Sequence, residues 1–357
     1  MANMSVSKIG VGRYVQGGGS ISYIGKEAKN LGTNALIIGG ETALSLSLQQ
    51  MEKALIEEGV NFNVKINKGF CSYENLELFS EAAVSKGADM IIGVGGGKSI
   101  DLSKAVAMKM KMPIITVPTI AATCAAWAPL SIMYTQNGSP LGSLPHEHEI
   151  NCCISDTDII ANAPERTLAS GIADSFAKSE EIANGAPQKN IEDTDVRVYT
   201  AYRLAKVIDE ILYNKALNAY NDCKNRKASS ILNDVVYANI AITGVCSGFA
   251  SGSNQLAMAH TFNNALRTGY TELMNEHLHG EVVGVGIIVQ MYYNESPFIN
   301  SYKEICRDLN LPTTIRQLNI TPNEEAFDYI LKFTLNRMQI QDDGIIRIKA
   351  GLIDVFQ

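Results

Sequence analysis

The sequence predicts an α/β fold: a Rossmann-like parallel-sheet domain at the N-terminus, followed by an all-helical domain. Three observations carry this expectation. Short runs that are apolar on both faces recur in the first half, and glycine or proline closes each of them. Helical stretches separate these runs, and after about residue 160 alanine-rich helical patterns replace them. Continuous apolar runs are what strands buried on both faces of a parallel sheet look like. The length of 357 residues suits two domains, divided here as 1–160 and 161–357.

In order along the chain, 35–38 (ALII) runs into Gly39–Gly40, 90–94 (MIIGV) into Gly95–Gly96–Gly97, and 114–117 (IITV) stops at Pro118. Helical stretches at 42–58, 75–85 and 99–110 fill the spaces between them. This alternation implies βαβ units, whose ligands bind at the carboxyl ends of the strands. The second half reads as helices at 165–183, 193–214, 228–247 and 255–266. Pro164 sits where a helix begins and loses nothing by lacking an N–H. A cleft between two unlike domains is the place to expect a small-molecule site.

Composition excludes several function classes. Apolar residues form 46% of the chain, charged ones 19%, and the mean hydropathy is +0.01, which suits a filled interior rather than disorder. The net charge of −7 argues against nucleic acid as a partner. Seven cysteines at irregular spacing, with no CxxC pair, fit a reducing cytoplasm better than a disulfide framework. The N-terminus has no apolar leader core. Residues 112–134 carry no charge and are long enough to span a bilayer, yet Pro113, Pro118 and Pro129 interrupt them. A strand and a buried loop are therefore expected there, with no membrane span.

The segment Gly93-Val94-Gly95-Gly96-Gly97-Lys98 follows an apolar strand and opens a helix. Glycines let the chain turn with no Cβ between a phosphate and the backbone N–H groups. The helix start adds partial positive charge and Lys98 a full one, so a pyrophosphate is the expected ligand. The spacing fits neither a Walker A loop nor GxGxxG. Glu41, after Gly40, is either a ribose acceptor or a helix-opening carboxylate, which leaves NAD and NADP both open.

Of five histidines, His146 and His148 lie in a polar loop and are expected to face solvent. His260 lies in a helical stretch with apolar or small neighbours, and His279 precedes Gly280-Glu281. Asp174, flanked by Ile172, Ala173, Phe176 and Ala177, is costly to bury unpaired. Either Lys178 one turn later or a cation must neutralise it, and spacing alone leaves both open. Two imidazoles and one carboxylate with an open fourth position make a catalytic zinc-type or iron-type site.

The run 156–164 (DTDIIANAP), followed by 168–174 (LASGIAD), resembles the glycerol dehydrogenases of the iron-containing alcohol dehydrogenase superfamily. Further likeness comes from 13–17 (RYVQG), 95–107 (GGGKSIDLSKAVA), 118–121 (PTIA), 130–135 (LSIMYT) and His279-Gly280-Glu281. The resemblance implies an N-terminal domain for a nicotinamide nucleotide and a helical domain holding a divalent metal. Asp174, His260 and His279 would be the metal ligands, His279 being preferred over His277 because it directly precedes Gly-Glu. Gly95, Gly96, Gly97 and Lys98 would hold the pyrophosphate of NAD or NADP, and Thr119, Leu130 and Tyr134 would border the nicotinamide and its ribose. Lys178 stands where four-ligand members have histidine, which points to the three-ligand branch, with zinc first and iron second.

The implied function is metal-dependent, NAD(P)-linked oxidation of a CH–OH group in a small alcohol or polyol, by a cytoplasmic homo-oligomer. Three departures bear on the substrate. Cys124-Ala125-Ala126, followed by Trp127, replaces an Asp-Ala-Pro that meets the polyol, and Gly40 replaces an NAD-selecting acid. The Asp174-to-Lys178 spacing also resembles glycerol-1-phosphate dehydrogenases and, more remotely, dehydroquinate synthases. Cys124, Trp127 and Lys178 are thus the expected substrate contacts. A phosphorylated polyol, or a sugar-phosphate cyclase or lyase reaction, is the alternative.

Overall fold

In the computed structural model the described residues are 8–184, 191–250, 257–338, 340 and 342–357. Eight strands occur among them: β1 (Val11–Gly17), β2 (Asn34–Gly39), β3 (Asn61–Ile66), β4 (Met90–Gly95), β5 (Ile114–Pro118), β6 (Leu130–Tyr134), β7 (Pro140–Pro145) and β8 (Ile150–Asp156). Six form one parallel sheet in the order β1-β8-β5-β4-β2-β3, while β6 and β7 make a separate antiparallel hairpin. Helices α1 (Ile24–Lys29), α2 (Glu41–Glu57), α3 (Tyr73–Ser85) and α4 (Gly97–Met110) connect the strands.

The alternation within β2 shows why its run is apolar throughout. Ala35 and Ile37 pack with Ile24, Met51 and Leu55 on one face, whereas Leu36 and Ile38 pack with Phe79, Leu102 and Val106 on the other. Both faces are covered, so no polar position survives. The expected strands at 35–38, 90–94 and 114–117 are therefore β2, β4 and β5, each slightly longer. The others carried weaker signals. Sheet-edge strands β1 (VGRYVQG) and β3 (NFNVKI) are partly exposed and mix polar with apolar residues.

From residue 157 on, the described chain is helical: α5 (Thr157–Ala161), α6 (Glu165–Ala183), α7 (Val196–Lys224), α8 (Ser230–Tyr237), α9 (Thr243–Ala250), α10 (Met258–Gly269), α11 (Thr271–Met274), α12 (His279–Tyr293), α13 (Ile299–Asp308), α14 (Glu324–Arg337) and α15 (Asp342–Val355). The helix expected at 228–247 is interrupted by a π-helical turn, Ala238–Ile242, joining α8 to α9. The first two residues of the helix expected at 255–266 lie outside the described residues. Helix α6 is the spine of this half, with 17 buried residues between Thr167 and Ala183. Among the described residues one helical stretch, Ser230–Ala250, is long and apolar enough to cross a membrane, and 56% of its apolar window is buried in the fold.

The two halves are joined closely. Gly171 on α6 sits against the Ala121 carbonyl, where an added Cβ would lie 1.8 Å from the oxygen. Asn239, in the π-turn, donates to that same carbonyl at 3.1 Å. Trp127 donates its indole N–H to the Ile9 carbonyl at 2.8 Å and lies edge-on to Tyr14. Gly10 and Gly244 leave room for its ring, since a Cβ on either would overlap the indole.

Candidate metal and coenzyme site

The metal-type cluster forms on three helices. Asp174 lies mid-way along α6, His260 in the first turn of α10 and His279 at the first residue of α12. One ligand atom from each comes within 4.8 Å of the others. Asp174 Oδ1 faces His279 Nε2 at 3.4 Å and His260 Nε2 at 3.5 Å. That oxygen is buried and has no hydrogen-bond partner among the described residues. Ligands about 2.1 Å from one zinc in a tetrahedron lie about 3.4 Å apart, which these separations match. An orphaned buried carboxylate oxygen facing two imidazoles is the donor set a divalent cation needs.

Electrostatics agree with that reading. Burial works against the Asp174 charge, but the His260 and His279 rings hold its carboxyl well below the usual range. Burial also opposes protonation of His260, yet Glu181, with help from Asp174, raises it to about 9. His279 is lowered, by burial first. Without a cation His260 therefore carries a proton at neutral pH, and metal binding must release it.

Glu181, a fully buried residue, was not foreseen as part of the site. Its Oε2 lies 2.6 Å from His260 Nδ1, and its Oε1 accepts from the backbone N–H groups of His260 and Ala257, each at 2.9 Å. The contact leaves Nε2 of His260 turned toward Asp174. Its spacing of seven residues from Asp174 along α6 was the available signal, since it places both on one helix face. Carboxylates that orient a ligating histidine are typically worth 10–100-fold in metal affinity. Glu181→Gln is expected to weaken cation binding by roughly that factor, read by competition with a chromogenic chelator.

His277 turns away from the cluster, its Nδ1 lying 3.7 Å from Glu281 Oε2. Glu281 also accepts from Arg166 at 3.0 and 2.9 Å and from the Leu278 N–H at 2.8 Å, which fixes the start of α12 and with it His279. His146, expected to face solvent, is instead buried. Its Nε2 lies 3.0 Å from Ser131 Oγ, whose hydroxyl donates to the Asp101 carbonyl at 2.6 Å. Burial, with Lys104 and Lys8, pushes this ring down to about 3. The polar sequence around it hid a β-hairpin that covers the imidazole; His148 is exposed as expected.

At the carboxyl edge of the sheet, Gly95 ends β4 with φ +132° beside Pro118 of β5, and Gly96 and Gly97 open α4. The backbone at Gly95 lies in the region glycine favours. Lys98 is exposed, its Nζ 3.9 Å over the Phe70 ring. Thr119 donates its N–H to the Gly95 carbonyl at 3.2 Å, so the two strand ends are locked together. Leu130 and Tyr134 begin and end β6, and Tyr134 lies 5.6 Å from Phe70.

Between these segments the loop that carries Cys124 is held by Lys104, which the sequence reading passed over. This fully buried ammonium donates to the carbonyls of Ala125 (2.7 Å), Ala128 (3.0 Å) and Leu130, and pairs with Asp101 at 2.8 Å. The i,i+3 Asp–Lys pair, followed by the apolar run 105–108 (AVAM), was its signal. Cys124 is half-buried, and burial raises its thiol, so it stays neutral. Trp127, expected beside the substrate, is buried, with its N–H held by the Ile9 carbonyl and its ring against Tyr14, Gly10 and Gly244. Lys178 is buried near Cys124 and Asp174, on no solvated face, and forms no direct ion pair with Asp174.

Comparison with known proteins agrees with this architecture. The sequence profile of the iron-containing alcohol dehydrogenase family matches residues 12–152. A glycerol dehydrogenase of Thermotoga maritima is 33% identical over 332 residues, covering 89% of this chain and 86% of that protein. Hydroxycarboxylate dehydrogenase A of Escherichia coli K12 is 32% identical over 276 residues, 76% of this chain and 74% of the relative. Among solved structures, glycerol dehydrogenase from Schizosaccharomyces pombe has a TM-score of 0.84 at 23% identity, covering 99% of this chain and 92% of that one. A shared fold, a matching family profile and identity above 30% over most of both chains make this protein a glycerol dehydrogenase-like member of the iron-containing alcohol dehydrogenase superfamily.

Proposed function

We propose that the chain uses a nicotinamide nucleotide to oxidise the CH–OH group of a small alcohol or polyol, at a divalent cation held by Asp174, His260 and His279. The observation that carries this reading is the buried, unpartnered Asp174 Oδ1 facing two imidazole nitrogens. Residues 1–160 serve as the coenzyme domain and 161–357 as the metal domain. Zinc is the first choice, because a carboxylate and two imidazoles leaving a fourth position open suit it. When bound, the cation supplies Lewis-acid polarisation of a hydroxyl oxygen, and the nicotinamide supplies a two-electron acceptor.

The protein's own residues bind and orient. The N–H groups of Gly96 and Gly97 at the start of α4, with Lys98, receive the pyrophosphate. Gly95 lets the backbone turn there, and Thr119, Leu130 and Tyr134 border the nicotinamide ribose. Gly40, extended at the N-cap of α2, has no side chain to repel a 2′-phosphate, so NAD and NADP are both admitted. Glu181 fixes one tautomer of His260, and Lys104 keeps the loop 125–130 in register. Cys124 faces the substrate as a neutral thiol.

The test is a panel of vicinal diols and hydroxyketones with each nucleotide, followed by absorbance of the reduced coenzyme. Metal-dependent turnover of at least one small alcohol is expected, and none with any of these compounds or with hydroxy acids and glycerol phosphates would refute the reading. Cys124→Asp is expected to raise kcat/KM for glycerol by about tenfold or more, because a carboxylate accepts from hydroxyls where the thiol does so weakly. An unchanged value would remove Cys124 from the substrate pocket.

A further inference from the structure

Two lysines are buried among the described residues, and their surroundings differ sharply. Lys104 is 1% exposed and gathers three carbonyl oxygens and one carboxylate. Lys178 is 4% exposed and makes no hydrogen bond or ion pair with another described residue, yet its Nζ is not fully sealed off, so the ammonium keeps a small opening to the space beside it. A buried ammonium without a partner is costly, so such a group persists where something else completes it. We propose that Lys178 receives an anionic group carried by the substrate next to the reacting carbinol, with a 2-hydroxycarboxylate as the first choice.

The neighbouring charges leave this role open. Glu181 is used by His260 and Ala257, and Asp174 is turned toward the two imidazoles. Cys124 contributes a neutral thiol. Burial opposes the Lys178 charge, but Asp174, with help from Glu181, outweighs it and keeps the ammonium protonated. Asp174 and Glu181 contribute two negative charges, against one from Lys178 and two from a divalent cation. The loaded pocket thus holds one excess positive charge, which a neutral diol leaves uncompensated and a carboxylate balances. Arg267 offers no equivalent role: its nitrogens donate to Asn263, Met274 and His277.

This inference rests on the dehydrogenase reading above. The balanced reaction takes a 2-hydroxy acid to a 2-oxo acid: the nicotinamide nucleotide accepts two electrons and one proton, and the second proton goes to water. A relative 32% identical to this chain bears the name hydroxycarboxylate dehydrogenase A, which supports this choice of substrate class.

The experiment compares near-isosteric pairs with the metal-loaded enzyme: lactate against 1,2-propanediol, and pyruvate against hydroxyacetone, with glycerol phosphates as a further arm. Carboxylates are expected to exceed their neutral partners at least tenfold in kcat/KM, and Lys178→Met to lower that ratio at least tenfold. Equal or inverted preference in the unsubstituted enzyme overturns the proposal while leaving the dehydrogenase reading intact. A preference confined to the glycerol phosphates keeps the anion role of Lys178 and replaces carboxylate by phosphate. Should no pair turn over, oxamate binding by calorimetry decides: binding that Lys178→Met weakens at least tenfold supports the anion site, and absent or unaltered binding overturns it. Cys124→Asp, which sets a carboxylate beside the ammonium, is expected to weaken oxamate binding as well.

Discussion

His279→Ala abolishes cation binding and turnover together. The expected loss in kcat is on the order of a thousandfold or more, since a Lewis acid contributes several kcal/mol to such a step. Metal content, by elemental analysis of the purified variant, should fall in parallel. The neighbouring His277→Ala provides the contrast. Its ring leans on Glu281 rather than on Asp174, so the cation should remain. A His279→Ala enzyme that kept both its metal and its rate would show that the three side chains meet for another reason.

Lys104→Met destabilises the protein and disorganises the nicotinamide side of the pocket. Methionine nearly matches the volume of the lysine but supplies no donor. The carbonyls of Ala125, Ala128 and Leu130 lose their shared partner, and Asp101 is left buried without its cation. Burial already raises the Asp101 carboxyl against the pull of Lys104, and removing that pull raises it further. Breaking a buried pair from one side costs about 3–5 kcal/mol. Urea unfolding should show the midpoint falling, and the KM for coenzyme should rise because Leu130 opens β6. A midpoint within experimental error of the parent would mean that the clamp contributes nothing.

The residues whose role is written locally were the legible ones. Buried strands β2, β4 and β5 must be apolar on both faces, and the glycine turn has few alternative readings, so each stood out from its immediate neighbours. Asp174 was suspected from its apolar surroundings alone. Its meeting with His260 and His279 depends on how α6, α10 and α12 pack, and the family resemblance, not spacing, pointed there. Lys104, Glu181 and Asn239 escaped for the same reason. Each looks like an ordinary polar residue on a helix until tertiary structure supplies the carbonyl or imidazole that it serves. His146 failed in the opposite direction, because a run of polar neighbours says nothing about a hairpin folding over one ring.

The seating of Trp127 has a practical consequence. It is the only tryptophan in the chain, and its indole is fixed between a glycine of the first half and a glycine of the second. Excitation at the red edge of protein absorbance therefore addresses one chromophore, at the seam. Any rocking of the nucleotide half against the metal half would expose that ring to water and shift its emission to longer wavelength. The molecule thus carries its own optical gauge of cleft opening, readable during turnover without an added dye.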